Sequence, residues 1–236
     1  MNNKIIVNCD DITRDSLNKN KLSLCVFLAC QSPSQGSPLC WNVFNSFLNS
    51  LLISWKDLYA TYISTSKINE NSTLFISQPQ DQQKNKQLVS SSTFKILPKQ
   101  QMVIDAFNAI SIQNNPANSI GIKNNTDHPF SSGLCVCDDS DNYYGVSAFE
   151  LFGNNSLSIN PVNKAFLMMV PQGTIDQNMV ITSTNQQGIL IDVENADNNT
   201  RTVKFDINNG WNSNDETWCS IHESGSDLTQ ILISNT

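Results

Sequence analysis

Along this chain the apolar residues fall in short runs separated by clusters of Asn, Ser, Gly, Pro and Gln. Runs rich in Val, Ile, Phe, Thr and Tyr fit a pleated, half-buried surface and predict strands. They cover Lys4–Asn8, Leu22–Ala29, Thr73–Ser77, Thr93–Leu97, Met102–Ala106, Ser119–Lys123, Asn178–Thr182, Ile189–Val193, Thr200–Ile207 and Thr229–Ser234. The clusters between them are of turn type, and the spacing is that of an all-β sandwich or barrel. The last run, "LTQILISNT", predicts an apolar strand whose edge is open to another molecule.

One stretch resists this reading. From Leu39 to Thr65, "LCWNVFNSFLNSLLISWKDLYATYIST" places Phe44, Phe47, Leu48, Leu51, Leu52, Trp55 and Leu58 at helical spacing, with Asn42, Asn45, Ser46, Asn49 and Ser50 opposite. Periodicity alone makes this an amphipathic helix able to enter a membrane. An internal repeat argues against it. "KLSLCVF" is echoed by "SSGLCVC" 110 residues later (Leu24 to Leu134), and four further pairs follow in the same order. They are Val43 with Leu151, Ile53 with Ile159, Phe75 with Leu190 and Phe94 with Val203. The later copy carries Gly153, Asn154, Asn155, Pro161, Pro171 and Gly173 where a helix would have to continue. Interior Pro costs about 3 kcal/mol and Gly about 1 kcal/mol, so strands are expected in both copies. In the first they are Leu39–Phe44, Leu51–Trp55 and Leu58–Ser64.

The repeat predicts two tandem β-sandwich domains, 1–108 and 109–236, the second with an extra C-terminal strand. They would be joined near Asn108–Asn118, and Ser77–Ser92 reads as a long polar loop.

Composition narrows the function. The chain has 236 residues, 39% hydrophobic and 15% charged, and a formal net charge of −7. That balance disfavours nucleic acid, which needs cations against its phosphates. No apolar run reaches the roughly 18 residues of a membrane span, so no integral membrane association is expected. Asn2, Asn3 and Lys4 precede only a brief apolar run and then Asp10 and Asp11, so no secretory leader is expected. Seven cysteines without a recognisable framework read as reduced thiols in a cytoplasmic protein. Cys25 and Cys135 hold equivalent apolar strand positions and read as small core groups. The Asn-X-Thr triplets at Asn71, Asn125 and Asn199 read as turns. With few charges, the surface can bond sugars or another copy of itself with little repulsion.

Candidate chemistry is sparse. His128 in "NTDHPF" and His222 in "CSIHESGSD" are the only imidazoles. Neither sits in a nucleophile elbow or a zinc helix, and no phosphate loop can be written, so neither an enzyme nor a cofactor is expected. "CDDSDNYYGVSAFE" places Asp139, Asp141 and Glu150 at positions one, three and twelve of a calcium loop, but Tyr143 and Tyr144 take the fifth and sixth. A register starting at Asp138 puts Phe149 where the bidentate Glu belongs, leaving Asp138, Asp139, Asp141 and Glu150 as a candidate non-helical loop. Cys135, Cys137 and His128 supply fewer ligands than a structural zinc site takes. Trp55 continues the inward face of its strand. Trp211 and Trp218, with Tyr143 and Tyr144, are the candidate ligand or interface residues, because indoles stack on sugars and anchor interfaces.

"LSLCVFLACQSPSQGSPLCWNVF" followed by "LLISWKDLYATYISTSKI" resembles the RhiA family of bacterial cytosolic proteins, through Cys25, Val26, Phe27, Leu39, Trp41, Trp55 and Tyr59. "KAFLMMVPQGTIDQNMVITSTNQQGILIDV" is similar to a later segment of that family, although the family's glycine-dense connection is missing here. The resemblance implies a soluble, intracellular all-β protein without established catalytic residues. The reading is a non-enzymatic protein acting by self-association into a homo-oligomer. The alternatives are a carbohydrate-binding, lectin-like protein and a membrane-active toxin deploying Leu39–Ile63 as a helix.

Overall fold

The computed structural model describes residues 2–79 and 91–234. Most of the expected loop Ser77–Ser92 therefore lies outside the described residues. The chain runs through β1 (Asn2–Asn8), α1 (Asp11–Lys19), β2 (Leu22–Gln31), β3 (Ser37–Pro38), β4 (Asn42–Phe44), β5 (Ser50–Ser64), β6 (Ser91–Ile96), β7 (Gln100–Ile104) and β8 (Ile110–Asn114). It continues through β9 (Ile120–Asn124), β10 (Phe130–Asp138), β11 (Tyr143–Gly145), β12 (Ser147–Leu151), β13 (Ser156–Pro171), β14 (Gly188–Asp192) and β15 (Thr200–Asp206). It ends with β16 (Gly210–Asn212), β17 (Cys219–His222), α2 (Leu228–Leu232) and β18 (Ile233–Ser234). The protein is all-β, built on two sheets.

The stretch Leu39–Thr65 forms strands. β4 is short, and the two strands expected between Leu51 and Ser64 are one, β5, with a register shift where it passes β10. No helix among the described residues is long and apolar enough to cross a membrane, and the segment assigned to a toxin helix is β-structure. Two helices were not expected. α1 starts where the Asp10 carboxylate accepts the backbone N–H of Thr13 at 2.7 Å. α2 replaces most of the expected terminal strand. Asp227 caps it by accepting from Thr229 and Gln230, and Leu228 and Leu232 are buried against the outer face of β2 and β13. Only Ile233 and Ser234 remain extended, parallel to Cys30 and Gln31.

The two sheets share one core. β1 points Ile5 and Val7 inward and leaves Lys4, Ile6 and Asn8 outward, the period-two pattern of a half-buried strand. β2 and β10 differ, since nearly every residue of both is buried. In β2, Leu24, Val26, Leu28 and Cys30 face the shared core, while Cys25, Phe27 and Ala29 face Phe166, Met168 and Leu228 on the other side. Cys25 and Cys135 are both fully buried, as their apolar setting predicts.

The division at residue 108 does not separate two sandwiches. β2 pairs with β13, β5 with β10 and β1 with β15, so both sheets draw strands from both sides of it. The sheets are nonetheless wired alike. In the first, β1 is antiparallel to the start of β5 and parallel to β15, which turns back as β16. In the second, β9 is antiparallel to the start of β13 and parallel to β7, which turns back as β8. Three of the five sequence matches (Leu24, Val43 and Ile53 with their partners) fall on strands wired alike. The other two do not: Phe75 lies on no strand while Leu190 is on β14, and Phe94 lies on β6 beside β5, whereas the strand beside β13 is β14, not the β15 that carries Val203.

Trp41 fastens the sheets together. It is 1% exposed, its backbone N–H donates to Val26 of β2 at 2.8 Å, and its indole Nε1 donates to the Val136 carbonyl of β10 at 3.1 Å. Trp211 is also buried, but its Nε1 has no hydrogen-bond partner among the described residues. We therefore expect Trp41→Phe to cost about 2–4 kcal/mol, from a stranded carbonyl and lost packing. Trp211→Phe removes an unsatisfied donor and should stay within about 1 kcal/mol. Urea unfolding of the two variants followed by circular dichroism checks the contrast; equal losses would contradict it.

Candidate functional site: a free sheet edge

The residues singled out from the sequence are not brought together. Trp211 is 3% exposed and packs edge-on against Phe205 at 4.9 Å, so it offers no face to a sugar. Trp218 is half-buried, with the Arg201 guanidinium over its ring at 4.8 Å and its Nε1 donating to Glu216 at 2.9 Å. Tyr143 is buried on β11 beneath Lys95, and Tyr144 is half-buried on the opposite face. Between β16 and β11 the first sheet inserts β15, β1, β5 and β10, about 24 Å at ~4.8 Å per strand.

The acidic residues are structural as well. Asp138 accepts the backbone N–H groups of Ser140 and Asn142, both at 2.8 Å, and so closes the β10–β11 turn. Asp141 pairs with Lys56 at 2.7 Å, which holds its carboxyl below the ordinary range, and Asp139 is bonded by Ser54. Glu150 lies opposite Ser131, about 23 Å along β10 from Asp138 at ~3.3 Å per residue. The calcium loop is thus not assembled, and no group of three His, Cys, Asp or Glu among the described residues is placed to hold a metal.

His128 is exposed beside Asp127 at 3.3 Å. His222 lies 2.9 Å from the Ser220 hydroxyl, a contact that follows from two positions on one side of a strand. Burial against Phe166 lowers its pKa, and among the described residues no carboxylate bonds the ring.

Five of the seven thiols, Cys25, Cys30, Cys40, Cys135 and Cys137, are buried core groups. Burial pushes Cys30 up to about 11 and raises Cys40 and Cys135 well above an ordinary thiol. They are not nucleophiles near neutral pH.

What the structure does leave open is an edge. Among the described residues β8 ends the second sheet and pairs only with β7. The ladder is bracketed by Asp105 N–H donating to Ala109 at 3.0 Å and Asn115 N–H donating to Lys99 at 2.8 Å. Antiparallel pairs alternate, so Ser111 and Gln113 turn their backbone groups toward β7, while Ile110, Ile112 and Asn114 turn theirs outward. Among the described residues only the Asn114 carbonyl receives a side-chain bond, from Gln101 at 3.5 Å. Ile110 and Ile112 lean on the core, and Ser111 and Gln113 stand on the solvent side. At the tip of the β7–β8 hairpin Phe107 is 87% exposed. From Ala106 to Ile122 the chain carries no charged residue.

The corresponding edge of the first sheet is shielded. β16 has three residues, the Trp211 N–H donates to the Gln187 side chain at 3.3 Å, and that side chain lies against Gly210. The signal for β8 was readable as an uncharged run after a hairpin turn, but its position at the end of a sheet was not.

Comparison of the chain with protein-family models, curated proteins and solved structures finds no match in any of the three.

The buried thiols give a pH prediction with a definite sign. An unfolded thiol ionises near 9.0, whereas burial keeps Cys30 protonated to about 11. Above pH 9 the unfolded state holds fewer protons, so stability falls as pH rises. Cys30 alone should remove about 2–3 kcal/mol by pH 11. Urea midpoints under reducing conditions at pH 7.5, 9 and 10.5 test this, and Cys30→Ala should flatten the slope.

Proposed function

We propose that this is a non-enzymatic protein that acts by self-association, with β8 of one copy lying antiparallel to β8 of another. The observation that carries the reading is the outward row of backbone groups at Ile110, Ile112 and Asn114, of which only the Asn114 carbonyl has a partner among the described residues, on an edge with none of the usual charges. A two-fold pairing centred on Ile112 continues the second sheet across both copies and uses the same patch twice, as a closed dimer requires. Burying Phe107 would add about 1.5–3 kcal/mol per copy.

The similar wiring of the sheets supports a further part of the reading, that the chain is an internal repeat. Each copy would contribute eight strands, the first ending at β8 and the second at β16, and the copies exchange strands rather than standing in tandem. In that scheme β8 and β16 are counterparts, one open and one shielded. This favours a discrete dimer over a fibre, since a chain with two open edges could extend at both ends. The RhiA-type resemblance agrees with a binding or structural role and with a cytoplasmic location.

Multi-angle light scattering across a wide concentration range should give twice the 26.2 kDa chain mass. Ser111→Lys combined with Gln113→Lys sets like charges opposite one another across the seam. This double variant should be monomeric, with a melting temperature within a few degrees of the parent's monomer. A parent that stays monomeric at all concentrations, or a double variant that still dimerises, overturns the reading.

A further inference from the structure

A cleft of about 740 Å³, lined by no residue of β7 or β8, opens between the loop after β2, the end of β12, the start of β13 and the first turn of α2. The volume lies within the roughly 300–1,000 Å³ range of small-molecule sites. Its polar lining includes Ser34, Gln35, Ser37, Glu150, Asn155 and Ser156. None of these six side chains takes part in any of the hydrogen bonds or ion pairs among the described residues, so their donors and acceptors are free for a ligand. Phe152, 55% exposed, stands among them. No Lys or Arg lines the cleft.

The walls are preformed. A Cβ at Gly36 would sit 2.3 Å from the Phe149 ring, so the loop after β2 lies directly on that side chain. Fully buried Asn124 holds the opposite wall by donating to the carbonyls of Leu151 at 3.4 Å and Phe152 at 3.2 Å, and to that of His128 at 2.7 Å. Its Oδ1 accepts from the backbone and hydroxyl of Thr126 at 3.0 and 2.7 Å. A site that needs no ordering keeps more of its contact energy as affinity.

We propose that this cleft binds a neutral polyhydroxylated ligand, a short oligosaccharide. Two amides, four hydroxyl or carboxylate groups and one aromatic ring can bond adjacent sugar hydroxyls and cover an apolar sugar face. The absence of a cation in the lining disfavours phosphates and carboxylates, and a single carboxylate beside one ring is not the aromatic cage that selects quaternary ammonium. The site is remote in composition from the Trp211 and Trp218 segment and does not depend on dimer formation.

The test is calorimetry of the parent protein against free β-glucan, mannan, chitin and galactan oligosaccharides, with the same glycans displayed on a glycoprotein surface as a second arm. Inorganic phosphate and spermidine serve as charged comparators. At least one neutral oligosaccharide should bind and raise the melting temperature. Binding in the first arm alone identifies a free sugar, and binding in both identifies a glycan terminus. Phe152→Ala and Glu150→Gln, both at exposed positions, should each weaken binding about tenfold or more without changing the melting temperature of the unliganded protein. The Ser111→Lys, Gln113→Lys protein should bind as well as the parent. No binding by any oligosaccharide, tighter binding of phosphate or spermidine, or unaltered affinity in both cleft variants would overturn the assignment.

Discussion

The structure depends on the position of Trp41. β2 and β10 are the strands each sheet is built around, and both are buried on both faces, so neither can lie at a surface. Trp41 touches both, through its backbone to Val26 and its indole to Val136. Its ring also meets Trp55 of β5 edge to face, with centroids 6.4 Å apart. The indole reaches the Val136 carbonyl where the β5–β10 register shifts between Val136 and Cys137. A local irregularity in one ladder thus coincides with the point at which the other sheet is fastened to it. A buried donor and a buried acceptor satisfy each other there, and removing either strands the remaining group.

Two strands buried on both faces need neighbours and covers, and long strands supply the neighbours. β5 and β13, at 15 and 16 residues, each serve two partners along one side, β1 then β6 and β9 then β14. Their other sides carry β10 and β2. Every one of the central ladders except β1–β5, β5–β6 and those within the second half joins residues far apart in sequence. The protein is therefore one cooperative unit, and its folding must close long loops before the central contacts form, which favours slow folding.

The sequence disclosed elements better than partners. The glycines and prolines of 153–173 correctly excluded a helix by analogy in Leu39–Thr65, because strand residues at short spacing mimic helical periodicity. The expected repeat pointed to similar strands but not to who pairs with whom: if β2 resembles β10 and β5 resembles β13, then pairing within a half and pairing across halves satisfy the same side chains. α2 was hidden because Thr229, Ile231 and the following Ile233 favour strands, and only Asp227 as a cap marked the helix. Trp211 looked available for want of any sequence signal that Phe205 would cover it. The acidic run misled for a similar reason, since Asp138, Asp139 and Asp141 read as ligands until Ser140, Asn142, Ser54 and Lys56 take them up. The cleft was invisible in advance, since its polar groups come from segments more than a hundred residues apart.

The abundance of Asn belongs to the same account. Of the twelve non-glycine residues with positive φ among the described residues, eight are Asn, among them Asn108, which turns β7 into β8, and Asn154, which turns β12 into β13. Asn tolerates the left-handed region because its amide bonds locally. The chain therefore makes many of its turns with a neutral side chain, and its surface carries fewer charges. That economy has a consequence at β8. A protein with net charge −7 repels its own copies, but over the roughly 8 Å of physiological screening the repulsion depends on where the carboxylates lie. Within Ala106–Ile122 there are none, the nearest in sequence being Asp105, which is taken up by the backbone of Phe107 and Ala109 in the hairpin turn, and neither lysine nor proline blocks the outward backbone groups of Ile110 and Ile112. The other edge strands are β6, six residues long and carrying Lys95, and strands of two to four residues, among them β16, where Gln187 shields the edge. The turn chemistry that builds the sheets thus leaves one edge on which two copies can meet without bringing like charges together.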